Sequence, residues 1–229
     1  MRTPDYPSDD HVKWAAVDDY FSQLLAPPDN HLSAALQANS QAGLPAHDVS
    51  AMQGKMLALL ISIQNASRVL EIGTLGGYST IWMAQALGEG GTITTIEADP
   101  RHADVARENI HQAGLSERVT LHVGAALDVL PHLQAPFDLI FIDADKKNNP
   151  GYLRWAIRLS RPGSLIIVDN IVRGGAVIDA GSTDGNVQGV RECLRLLASD
   201  PRLEATAIQT VGEKGWDGFA LARVKSRKE

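Results

Sequence analysis

Residues 69–79 read Val69-Leu70-Glu71-Ile72-Gly73-Thr74-Leu75-Gly76-Gly77-Tyr78-Ser79. The apolar run Arg68–Ile72 is short enough for a buried strand, and the glycines at 73, 76 and 77 punctuate it. From Ser79 to Leu87 the pattern becomes helical. A strand that runs through a glycine turn into a helix is the opening unit of an alternating α/β fold. The glycines alone are also what a tight strand-to-helix turn would use.

Read outward from this unit, the same texture repeats. Thr92–Ile96 predicts a second strand ending at Glu97. Asp99-Pro100 predicts a helix start, with Asp99 as N-cap and Pro100 at the first helical position, running to about Ala113. Strands are predicted at Val119–Val123, Asp138–Ile142 and Ser164–Val168. Helices are predicted at Ala125–Leu133, Gly151–Ser160 and Val187–Ser199. Two β-like segments, Ala205–Thr210 and Phe219–Val224, close the chain; the link between them, Val211–Gly218, is too short for a crossover helix, so they should pair antiparallel. The expected architecture is a doubly wound, mostly parallel, seven-stranded α/β sheet with one antiparallel strand. Residues 11–65 are helical in character, broken at Ala26-Pro27-Pro28-Asp29 and Gly43-Leu44-Pro45. The expected organisation is an N-terminal helical segment over 1–66, covering the site or building a dimer contact, and the α/β domain over 67–229.

Composition restricts the function classes. The chain has 229 residues, 44% hydrophobic and 21% charged, which is ordinary for a globular protein. No apolar run approaches the roughly 20 residues a membrane helix needs, and the polar, acidic N-terminus MRTPDYPSDDHVKW does not read as a signal peptide. One cysteine, Cys193, cannot form an internal disulfide, so a reducing cytoplasm is the simplest setting; as a free cysteine in a helix it is expected to be buried. A net charge of −6 argues against nucleic acid as the main partner. Lys225, Arg227 and Lys228 form a small basic cluster that reads as a frayed tail. The seven histidines show no metal-ligand spacing; His102, His111, His122 and His132 read as surface or helix-face residues.

In a doubly wound sheet, ligands sit beyond the carboxyl ends of the strands, and here those ends are polar. Gly73, Gly76 and Gly77 do not match the dinucleotide fingerprint, because Leu75 stands where the second glycine must let a pyrophosphate approach. Glu71, at the strand end, would repel a pyrophosphate and attract a cofactor bearing an ammonium and a sulfonium. S-adenosylmethionine is such a cofactor. Glu97, about 20 residues beyond the glycines, suits a ribose diol; alone, it is also an ordinary solvated strand end. Two further strands end in hard oxygen groups: Asp143 after LIFI, and Asp169-Asn170 after LIIV. These suit Mg²⁺ first, with Mn²⁺ or Ca²⁺ as alternatives, rather than zinc. Either aspartate alone would also serve as a helix cap. Lys146 stands three residues after Asp143, and a cation and a lysine together can lower a phenol's pKa of about 10 toward neutrality.

The motifs VLEIGTLGGYSTIWMA, TIEAD, FDLIFIDADK, LIIVDN and TVGEKGWDGFALA resemble the cation-dependent S-adenosylmethionine O-methyltransferases, the family of animal catechol and plant caffeoyl-CoA O-methyltransferases. Within it, the stretch from Asp143 to Arg173 is most similar to bacterial catechol O-methyltransferases of the saframycin type. The resemblance runs from about Val17 to Val224. It implies that Asp143, Asp169 and Asn170 hold the metal and that Lys146 is the catalytic base or stabilises the catecholate. It places Glu71 and Gly73 along the methionine part of the cofactor, Ser79 on its carboxylate and Glu97 on its ribose. Ala125 and Ala126 line the adenine pocket, Val49 covers the methionine end, and Asp143 lies against the transferred methyl. Asn149 stands where many members have Tyr, and an Asn usual near Cys193 is missing; both departures bear on the acceptor. Asp145 is read as touching the cofactor or pairing with a base, and His47 as lining the substrate mouth. Trp216 is read either there or, by slight preference, as core.

The expected acceptor is a vicinal diphenol, probed against three alternatives: a hydroxylated tRNA base, an NAD-dependent dehydrogenase, and a non-catalytic cofactor binder. The first needs a basic rim, the second a glycine at 75, and the third has no use for a DADK and DN set. As in much of the family, a homodimer is expected.

Overall fold

The apolar runs form the middle of one seven-stranded sheet in a computed structural model that describes residues 8–27 and 29–226. The extreme N-terminal stretch, Pro28 of the Pro27-Pro28 break, and Arg227 and Lys228 of the basic tail lie outside the described residues. Three helices come first: α1 (His11–Leu25), α2 (Asn30–Gln41) and α3 (Ala51–Gln64). Asp29 and Ser50 cap α2 and α3 through the amides of Leu32 and Gln53, as short polar caps do. There follow β1 (Arg68–Ile72), α4 (Tyr78–Ala86), β2 (Thr92–Glu97), α5 (Pro100–Gln112), β3 (Val119–Val123), α6 (Ala126–Val129), β4 (Phe137–Ile142), α7 (Asn149–Leu159), β5 (Ser160–Asp169), α8 (Gly185–Ser199), β6 (Leu203–Gly212) and β7 (Gly215–Val224). Short 3₁₀ turns at Leu130–His132, Lys146–Asn148 and Arg173–Ile178 complete the order. Asp99 caps α5 by accepting from the Arg101 amide.

Strand order is β3-β2-β1-β4-β5-β7-β6. The first five strands pair in parallel; β7 runs against both β5 and β6. One reversed strand is therefore the architecture the sequence predicts. The last hairpin turns more tightly than expected, with Gly212 and Gly215 already paired. The predicted helix over 125–133 is instead α6 followed by a 3₁₀ turn, because Pro131 cannot donate the amide a continuing helix needs. Strand β5 begins four residues before its apolar run, since Ser160 pairs with Phe137 across a register shift.

Every residue of β4 is buried, as a central strand covered on both faces must be. Two apolar cores flank the sheet. One joins α7 and α8 to β4 and β5. The other joins α2, α3, α4 and α5 to the opposite face through Leu32, Leu57, Ile61, Ile81 and Phe141, so α2 and α3 share their apolar core with the sheet. The chain leaves β1 toward β2 and β3, then returns to β4 on β1's other side. The crevice at that reversal lies beyond the ends of β1, β2, β4 and β5.

Candidate active site

Hydrogen bonds past the strand ends set the rim of this crevice. The Gly73 amide donates to Ile96 O at 3.0 Å, Asp143 to Ile72 O at 2.8 Å, and Gly124 to Glu97 O at 2.8 Å. They hold the glycine turn, the DADK segment and the Gly124–Ala126 corner side by side around a cleft of about 750 Å³. Its lining includes Val49, Gly73, Ser79, Glu97, Ala126, Asp143, Lys146 and Asn170. That volume falls in the range of pockets that enclose a small molecule.

Gly73 is fixed by sterics. Its φ is +99°, and a Cβ there would lie 2.1 Å from the Asp143 carbonyl oxygen. The turn and the DADK segment touch backbone to backbone, which no other residue permits. Gly76 is similarly filled from outside by the Asn39 amide.

Glu71 does not line the cleft. It is fully buried behind Ser79, and its carboxylate accepts from Ser79 Oγ at 2.6 Å, Thr80 Oγ1 at 2.5 Å and Thr95 Oγ1 at 2.7 Å. Burial pushes its pKa up to about 7, against the three hydroxyls, which favour the charged form. Any pull it exerts on a cationic cofactor therefore passes through Ser79 and depends on pH. Glu97 does line the cleft. Its Oε2 accepts from the amides of Thr74 at 3.2 Å and Leu75 at 2.8 Å, and its Oε1 from Asp99 at 2.9 Å. It braces the glycine turn while keeping one edge toward the cavity. Ala126 and Gly124 line the corner, whereas Ala125 is exposed outside it.

At the other end, Lys146 folds back from its 3₁₀ turn and donates to Asp143 Oδ1 at 2.7 Å. Burial raises the Asp143 carboxyl, but Lys146, with Lys214 and His47, outweighs it and holds the group below its usual range. Asp169 behaves oppositely: burial first, then the Asp143 charge, push it up to about 6 despite Lys146 and Lys214. Its Oδ1 accepts from the Asn170 amide at 2.8 Å and its Oδ2 from Gln53 Nε2 at 2.6 Å. Asn170 has φ +55°, a conformation asparagine tolerates better than most residues. Among the described residues no three His, Cys, Asp or Glu side chains form a metal cluster; the candidate set is two carboxylates and an amide. These are hard oxygen donors, and the Asp143 charge, which raises the cost of ionising the buried Asp169, makes the pair a fitting seat for a divalent cation.

Other expectations resolve as follows. His47 lines the cleft. Asp145 also lines it, but its partners are the Tyr152 hydroxyl and Asn148 Nδ2, not a base. Trp216 is neither core nor cleft: it is 37% exposed, its ring lies over Gly175, and Nε1 donates to Gln209. His102, read as a surface or helix-face residue, lies on α5 and lines the cleft beside Glu97. Cys193 is buried, which pushes its thiol up to about 12. Asn149 is fully buried, and among the described residues neither of its amide atoms has a hydrogen-bond partner. Gln53, Lys214 and Tyr152 belong to the site as well; Lys214 and Tyr152 lie in stretches that carry the resemblance, but no spacing rule singles them out. Gly189 of α8 also belongs to it, since a Cβ there would lie 2.3 Å from Lys146 O.

The sequence profile of the O-methyltransferase family matches residues 28–225, and the chain belongs to that family. It is an O-methyltransferase by family and by fold. It is 53% identical over 210 residues to the catechol O-methyltransferase of Mycobacterium tuberculosis, covering 91% of this chain and 95% of that one. Among solved structures, the O-methyltransferase from Bacillus cereus in complex with SAH superposes with a TM-score of 0.93 at 56% identity, covering 94% of this chain and all of that one. TomG from Streptomyces achromogenes, involved in tomaymycin synthesis and solved with SAM, gives 0.92 at 48% identity, covering 96% and 100%.

Proposed function

We propose that the protein transfers a methyl group from S-adenosylmethionine to one hydroxyl of a catechol, with a divalent cation, Mg²⁺ foremost, held by Asp143, Asp169 and Asn170. The observation that carries this reading is convergence. The glycine turn, Glu97, the Asp143–Lys146 pair and Asn170 all line one cleft, and Asp169 abuts it through Asn170. The relatives solved with SAH and SAM, and the catechol O-methyltransferase at 53% identity, support the same cofactor and acceptor class.

S-adenosylmethionine supplies the electrophilic methyl, and a cation bound by the two acids and the amide would favour an ionised phenol. The chain's own residues do the rest. Glu97 and the Gly124–Ala126 corner bind the nucleoside end, and Val49 and Ser79 the methionine end. Lys146 takes the proton from the acceptor hydroxyl as the free amine, or as the ammonium holds the resulting charge; its contact with Asp143 fixes Nζ beside the cleft. The oxyanion then attacks the methyl carbon as the carbon–sulfur bond breaks, and opposite charges cancel. Alignment and exclusion of water are therefore the main catalytic contributions.

A role in bacterial secondary metabolism is part of this reading, supported by the tomaymycin-associated neighbour. So is a homodimer. Val12, Tyr20, Leu24 and Leu25 of α1 and Ile208 of the adjoining edge strand β6 form exposed apolar surface, which light scattering after size exclusion would test. The enzymatic reading is tested with methyl-labelled S-adenosylmethionine and a panel of catechols, with Mg²⁺ and with EDTA. Transfer that EDTA abolishes supports it. Absence of transfer to every catechol, in protein that binds the cofactor, would overturn the acceptor assignment.

A further inference from the structure

Between α2 and α3 the chain runs without helix or strand from Ala42 to Ser50, yet Pro45, His47, Asp48 and Val49 line the cleft. Such a segment needs anchors if it is to present a fixed wall. One lies beneath it. The buried Asp48 carboxylate accepts from Asn39 Nδ2 at 2.7 Å, and Asn39 Oδ1 accepts from Asn109, which also donates to Gly76 O in the glycine turn. The other comes from the β6–β7 turn. Lys214 Nζ donates to Asp48 O at 2.8 Å and to His47 O at 3.3 Å. The turn is itself braced by α1, where Asp18 Oδ2 accepts from the Glu213 amide at 2.8 Å and His11 Nε2 lies 2.7 Å from Glu213 O.

Lys214 lines this cleft and also a smaller one of about 210 Å³ on the Asp169 side. Its charge acts on both Asp143 and Asp169. It is thus the residue of the hairpin turn that reaches both the wall of the cofactor half and the acidic end.

We propose that Lys214 is a positioning residue: its ammonium fixes the His47–Val49 backbone against the cleft so that the wall over the cofactor is formed before the cofactor arrives. The inference rests on this cleft being the S-adenosylmethionine site. A lysine suits the task because an ammonium offers three donors in a flexible arrangement, enough for the two carbonyls it meets. Removing it leaves the core untouched, since the side chain sits at a turn, but releases the wall, and part of the binding energy must then reorder it.

The test is calorimetric titration of S-adenosylhomocysteine into wild-type, Lys214→Met and Lys214→Arg proteins, with hydrogen exchange over residues 45–50. Lys214→Met is expected to weaken binding roughly tenfold, the size of losing a charge-assisted hydrogen bond, and to speed exchange at residues 47–50. Lys214→Arg, which keeps charge and donors, should stay within about threefold of wild type. Wild-type affinity in Lys214→Met with unchanged exchange would overturn the proposal. So would equal loss in both variants, which would place the cause in packing. Wild-type protein that fails to bind S-adenosylhomocysteine would instead overturn the functional reading beneath it.

Discussion

Replacing Glu71 by glutamine should flatten the protein's stability against pH. In the fold the Glu71 carboxyl has a pKa of about 7, against 4.5 ordinarily. Between these values the folded chain holds a proton that the unfolded chain has released, so stability falls as pH rises. The contribution is complete below pH 4.5 and gone above about pH 7. The gap corresponds to about 3 kcal/mol at one pKa unit per 1.36 kcal/mol, or roughly 6–12 °C in Tm for a domain of this size. Glutamine is isosteric. Its amide oxygen can accept from Ser79, and the Thr80 and Thr95 hydroxyls can rotate to accept from its NH₂. The assay is thermal unfolding of both proteins from pH 4.5 to 8.5. The glutamine variant should gain on wild type from pH 4.5 to about 7 and then keep a constant lead to pH 8.5. A Tm difference that stays constant over the whole window would refute the assignment of Glu71 as a buried acid whose ionisation the fold resists.

Other perturbations have equally definite outcomes. Gly73→Ala combines a left-handed backbone with a 2.1 Å approach to Asp143 O, so it should cost roughly 3 kcal/mol or more in urea unfolding; an unchanged midpoint would contradict the close backbone contact. Gln53→Ala frees Asp169 Oδ2 and should weaken Mn²⁺ binding roughly 10–100-fold, as loss of an outer partner does, with S-adenosylhomocysteine affinity unchanged. Equal Mn²⁺ isotherms would remove Gln53 from the site. Asp169→Ala should abolish Mg²⁺ stimulation of methyl transfer, and normal stimulation in that variant would overturn the ligand set.

The framework of the site was legible because it is built from local pattern. Apolar strands ending in Glu97, Asp143 and Asp169 announce a crevice at their carboxyl ends, and Leu75 separates the turn from a dinucleotide fingerprint. What stayed hidden comes from contacts far apart in sequence. Gln53 meets Asp169 across 116 positions, and Lys214 meets Asp48 across 166; Lys214 stands inside the TVGEKGWDGFALA motif, yet no spacing rule reveals either contact. Glu71 was legible as a strand-end acid, but not as one enclosed by three hydroxyls, because Thr95 approaches only through the β1–β2 register. Trp216 misled for a related reason: its ring finds Gly175 outside the barrier of the core, where the absence of a Cβ leaves a flat seat.

The central claim is that Lys146 handles the acceptor's proton while other residues hold the cofactor. Its most direct test is the single-turnover rate of methyl transfer to a catechol in wild-type and Lys146→Ala proteins, at saturating S-adenosylmethionine and Mg²⁺. The account predicts a fall of roughly 10²–10⁴-fold, with S-adenosylhomocysteine affinity within about threefold of wild type, because Lys146 bonds to Asp143 and not to the nucleoside end of the cleft. An undiminished rate in Lys146→Ala would contradict it.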